Sequence, residues 1–139
     1  LRRELVDLHR TPLAAALAAE SLSATYPDDR DLAALWIERA AWADLPEQQT
    51  AARQRLFELA PDDRDNRLEL AELLAFAGAR RAAIEHWRAL AAADGVVSPA
   101  VPRLIDALYA EGDEAGAFEW LQRLASDPLA TPAQYGTPQ

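Results

Sequence analysis

The sequence has no cysteine, no methionine and no lysine; all 14 of its basic residues are arginine. Without cysteine, disulfides and thiolate metal sites are excluded. The compartment stays open, because cytosolic and periplasmic proteins both do without that residue. Glycine is scarce, with five in 139 residues, and β-branched residues are few, so the alanine- and leucine-rich remainder favours helix over strand. No apolar run approaches the roughly 18 or more residues of a membrane span, so no membrane insertion is expected. Excess positive charge is lacking too: the net charge is −9 and the pI about 4.6. A phosphate backbone needs a basic footprint, which argues against nucleic acid as a partner. Basic proteins or cationic polymers would be attracted instead, unless the charge serves only solubility. The chain opens at Leu1 without a charged and then apolar leader. It reads as a piece of a longer protein, with any targeting signal outside it.

What is present is a repeat. The string PDDRD occurs at Pro27–Asp31 and again at Pro61–Asp65, 34 residues on. The same offset links Leu22, Leu56, Leu90 and Leu124, links Pro12 to Pro46, and links Gly78 to Gly112 with Asp44 one step earlier. Ala15, Ala83 and Ala117 share a further column. Self-similarity at such a period is the mark of a repeat architecture. Each unit reads as two helices. Leu68, Leu70, Ala71, Leu74 and Ala75 form an apolar stripe at helical spacing that stops at Gly78, and a second helix runs through Ala82, Ala83, Ile84, Trp87 and Leu90 towards Gly95. Leu104, Ile105 and Leu108, a turn at Glu111-Gly112-Asp113, then Ala117, Trp120, Leu121 and Leu124 repeat the pattern. In the first full unit the turn falls at Asp44-Leu45, and Pro46 opens the second helix. PDDRD is then the joint between units. Its proline stops one helix, and its aspartates cap the next and complement its dipole.

A helix pair with a turn glycine, small residues at fixed columns and a closing proline every 34 residues resembles the tetratricopeptide repeat. Gly78 and Gly112 match that family's turn residue, Ala83 and Ala117 its small second-helix residue, Trp87 and Leu121 the bulky one, and Pro27 and Pro61 the closing proline. The implied fold is all-α, a right-handed α-solenoid of about 3.5 such repeats. It divides into a partial repeat at 1–29, repeats at 30–63, 64–97 and 98–128, and a tail or the start of a further repeat at 129–139. Leu1 to His9 is expected to end a first helix, and Thr131-Pro132 would start another unless the tail is unstructured. Two departures are visible. Gln49 and Arg53 stand where the small and bulky residues belong, so that helix is expected to pack irregularly. Gly95-Val96-Val97-Ser98-Pro99 replaces the usual closing proline, although Ser98 followed by Pro99 is itself a good helix start. Stacked repeats need neighbours or caps, so the array is expected to continue beyond this chain.

The resemblance also says which columns face inward. One carries Glu4, Glu38, Glu72 and Asp106, and another Asp31 and Asp65, with Trp42, Phe76 and Tyr109 beside them. An acidic ladder with aromatic steps suits a cationic extended ligand. Two plainer readings compete: a solvated acidic face with Asp31 and Asp65 as capping residues, and Trp42 and Phe76 as packing between helices. Family members that hold acidic peptide tails use basic residues on these columns. Here Arg103 is the lone basic exception, which argues against such a tail. Catalysis finds no support, because His9 and His86 sit on different helices and no paired metal motif, phosphate loop or nucleophile elbow is present. No cofactor is implied. The expected role is to hold a protein partner with a basic surface, or a cationic polysaccharide. Arginine-rich, lysine-poor arrays of this kind resemble the periplasmic parts of bacterial exopolysaccharide export proteins, Pel-type among them. A cytoplasmic adaptor and a substrate-recognition module joined to an enzyme domain are the alternatives.

Overall fold

A computed structural model describes residues 11–127. Among these the chain is α-helical with no strand: α1 Pro12–Thr25, α2 Arg30–Trp42, α3 Pro46–Leu59, α4 Arg64–Phe76, α5 Arg80–Asp94, α6 Ala100–Ala110 and α7 Glu114–Ser126, with a 3-10 turn at Gly95–Val97. The helix expected before His9 and the segment 129–139 lie outside the described residues.

The helix ends follow from the repeated joint. Asp29 accepts a hydrogen bond from the Leu32 amide at 3.1 Å, and Asp63 accepts one from Asn66 at 3.0 Å, so the second aspartate of PDDRD is the cap in both copies. Asp31 and Asp65, offered above as caps, lie inside the first turn and are exposed. Ser98 accepts from the Ala100 amide at 3.2 Å, so the divergent joint still starts a helix. Between paired helices the backbone turns through the left-handed region at Asp44 (φ 53°), Gly78 (φ 89°) and Gly112 (φ 84°). Aspartate is one of the few side-chain-bearing residues that tolerates that region, so the mismatched column keeps one geometry.

The chain forms two compact units, Leu1–Leu73 and Leu74–Gln139. In the first, α1 packs on α2 and α2 on α3. Its core joins Ala15 and Ala19 of α1 to Leu32, Leu35, Trp36 and Ala40 of α2 and Ala52 of α3. The alanines let the helices approach closely, while Leu35 and Trp36 supply the bulk. Burying a leucine side chain stabilises by about 2 kcal/mol.

Helix α3 is held differently from its neighbours. The irregularity expected from Gln49 and Arg53 is a change of buried face within a regular helix. Gln49 is half-buried, and Ala52 is the one α3 residue with no exposure. Three directed bonds supplement it. Trp36 Nε1 donates to Gln48 Oε1 at 2.7 Å. Arg53 Nη1 donates to Asn66 Oδ1 at 3.1 Å, while Asn66 Nδ2 donates back to the Arg53 carbonyl at 3.1 Å. Arg55 Nη1 donates to the Ser23 carbonyl at 2.9 Å. That carbonyl would have served the amide four residues on in α1, but the residue there is Pro27, which has no N–H. The proline that closes the repeat strips an acceptor of its partner, and Arg55 restores one.

In the second unit α5 packs on α6 and α6 on α7, and the interior is apolar. Val101 and Leu104 have no exposure, with Ile84, Trp87, Leu90 and Leu108 also buried. Trp87 Nε1 is buried without a hydrogen-bond partner among the described residues. Leu121, matched above to the bulky column, is 38% exposed, and its neighbour Trp120 is half-buried beneath the Arg123 guanidinium. Glu111, in the α6–α7 turn, faces Arg80 at 3.7 Å and Arg81 at 3.9 Å at the start of α5.

Candidate partner-binding face

Burial divides α2 into two faces. Leu32, Ala33, Leu35, Trp36 and Ala40 are buried, whereas Asp31, Ala34, Glu38, Ala41 and Trp42 are exposed. From Asp31 the steps to Glu38 and Trp42 are seven and eleven residues, close to two and three full turns. The two carboxylates and the indole therefore share one stripe, about 16 Å long at 1.5 Å per residue. The core side of α2 is fully used by α1 and α3, so packing leaves this stripe to solvent. Trp42 keeps 53% of its surface exposed, which disposes of interhelix packing as its role. The Glu38 side chain is 54% exposed and meets Arg39 Nη1 at 3.5 Å.

The same columns on the other first helices hold related residues. On α4, Asp65 is exposed and Glu72 half-buried, and Phe76, the last residue of that helix, is 85% exposed. On α6, Asp106 is exposed alongside Arg103 and Tyr109, and Tyr109 keeps 46% of its surface. Glu4 lies outside the described residues. Within each helix the acidic position and the aromatic near the helix end lie on the solvent side.

Three features were not read from the sequence. Leu13 and Leu17 of α1 are 54% and 48% exposed, and Phe118 of α7 is 57% exposed. Their apolar spacing looked like core, and only the placement of neighbours shows otherwise. An open groove of about 700 Å³ runs beside Ala91, Ala92, Gly95 and Val96, with Trp120 and Arg123 on its other wall. Burial pushes the Arg67 guanidinium below its usual range while it lies 4.7 Å over the Phe57 ring. Among the described residues no group of three His, Asp or Glu side chains is arranged as metal ligands would be, and no helix is long and apolar enough to cross a membrane. His86 is half-buried on α5.

No family model matches the chain, and no curated protein does. Solved structures do. A crystal structure of MamA, a tetratricopeptide-type helical repeat protein, matches with a TM-score of 0.62 at 15% identity over 81% of this chain and 66% of that one. A second crystal structure of MamA protein gives 0.61 at 15% identity over 81% and 61%. The chain thus spans less than two thirds of the length of either match. At this identity the likeness is one of fold: an all-α array of tetratricopeptide-like helical hairpins.

Proposed function

We propose that this chain is a binding segment of a repeat scaffold and holds a protein partner through the acidic, aromatic stripe of its first helices. The observation that carries the reading is Trp42. A large indole kept half in solvent, in line with two exposed carboxylates, is poorly placed for stability and well placed for contact. The fold supports the scaffold part of the reading, because helical-hairpin repeats offer extended surfaces and commonly serve as interaction scaffolds. The charge of −9 and the acidic columns favour a partner with a basic surface. A deacetylated, cationic exopolysaccharide would meet the same face, which is the form the reading takes if the parent protein belongs to an envelope export complex.

The test is capture of partners from native lysate at low and moderate salt, comparing wild type with a variant carrying Glu38→Gln, Glu72→Gln and Asp106→Asn. A protein retained by wild type, weakened by salt and lost by the variant supports the reading. Competition by a polyamine sugar, with no protein captured, turns it towards the polymer. Equal retention by both chains overturns it.

A further inference from the structure

We infer that Glu38 and Trp42 form a bracket for one guanidinium group, so that the partner of the face described above presents an arginine to α2. This rests on the function just proposed and names the chemistry of its ligand.

The protein already makes such a contact with itself. On α7 the Arg123 guanidinium lies 4.6 Å from the centroid of the Trp120 ring, and its Nη2 donates to Glu119 Oε1 at 3.0 Å. One cation is held by the face of a ring and by a carboxylate together. Guanidinium suits this geometry because its flat face stacks on the ring while its edge keeps N–H donors free for the acid.

Glu38 and Trp42 supply the same two parts without the cation. They are four residues apart on one helix, so their Cβ atoms are about 6 Å apart. Both stand on the solvent side of α2. Among the described residues the guanidinium groups that stack on rings lie over Phe57 and Trp120, not over Trp42. Arg39 touches Glu38 at 3.5 Å, but a carboxylate accepts from several donors at once, so that contact leaves room for a second cation. Trp42 is also the last residue of α2, where the helix dipole favours positive charge. The pair recurs 34 residues on as Glu72 and Phe76, with Phe76 again the last residue of its helix; at the third position Ala110 follows Asp106 and the ring is missing.

The test uses the 139-residue chain labelled with nitrogen-15. The Trp42 indole resonance is identified by its loss in Trp42→Leu. The probe is a blocked tetra-arginine peptide, and the control is its citrulline counterpart, which has the same shape and no charge. The Trp42 indole is expected to shift with the arginine peptide and stay in place with the citrulline one, and Glu38→Gln to weaken the arginine titration about threefold. An unmoved indole, or equal shifts with both peptides, overturns the bracket. If the indole is unmoved while partner capture still falls in the acid-neutralised variant, the bracket fails and the proposed function stands. If the indole shifts and Glu38→Gln weakens the titration while capture is indifferent to the acids, the bracket stands and the proposed function fails.

Discussion

Trp36 in the first unit and Trp87 in the second are both buried, 6% and 4% exposed, yet their indole N–H groups meet opposite fates. Trp36 finds Gln48 across the helix pair at 2.7 Å; Trp87 sits among Ala83, Ile84, Leu90 and Ala91 on a helix with a wholly apolar buried face, and its Nε1 finds no protein acceptor. The difference reflects two ways of seating a second helix. Helix α5 buries five residues and is held by apolar area, which is undirected and tolerant of small shifts. Helix α3 buries Ala52 and is held by side-chain bonds to α1, α2 and α4, which are directional. One repeat period is thus compatible with either kind of interface, provided polar residues arrive in matched sets.

Matching is clearest at Arg53 and Asn66. By the 34-residue offset Arg53 occupies the column of Trp87, and Asn66 the column of Leu32 and Ala100, which are both buried. Two polar residues in apolar columns would each be costly alone. Together they form a reciprocal pair that satisfies both, with Asn66 only 3% exposed.

The largest effect expected is at the apolar interface. Trp87→Ala removes the bulkiest side chain buried in the second unit and should destabilise by about 3–5 kcal/mol, read from the midpoint of urea unfolding. A loss under about 1 kcal/mol would mean that α5 does not depend on its buried face. Next comes the matched pair. Asn66→Leu strands the Arg53 guanidinium and carbonyl and should cost about 1–3 kcal/mol, whereas Arg53→Leu with Asn66→Leu should recover most of that. Additive losses in the double-mutant cycle would show the two residues to be independent. The smallest effect separates the two tryptophans. Trp36→Phe and Trp87→Phe remove similar volume, but the first also leaves Gln48 unpaired, so it should cost about 1 kcal/mol more. Equal losses would erase the contrast between the two interfaces.

Much of the architecture could be read in advance because a repeat reports the same local physics several times. The joint, the left-handed turn at Asp44, Gly78 and Gly112, and the helix start at Ser98 depend on neighbours in sequence, and all appear where their residues placed them. The failures share a cause. Gln49 and Arg53 were recognised as departures, but the replacement of the buried position by Ala52 depends on what α2 presents to α3. Leu121 matched a bulky column and is exposed, and Leu13, Leu17 and Phe118 carry apolar spacing with no cover among the described residues. The acidic columns were visible as a pattern. That Asp29 and Asp63 do the capping, leaving Asp31 and Asp65 outside that task, needed the hydrogen bonds themselves.

The sequence by itself determined the period, the helices and their ends, because propensity, capping and turn geometry act within a few residues. Tertiary structure alone decided which polar residues are partners, which apolar faces are covered and that Trp42 stays in solvent. Those outcomes rest on distances between segments far apart in the chain, such as Arg55 to the Ser23 carbonyl that Pro27 leaves without its helical donor.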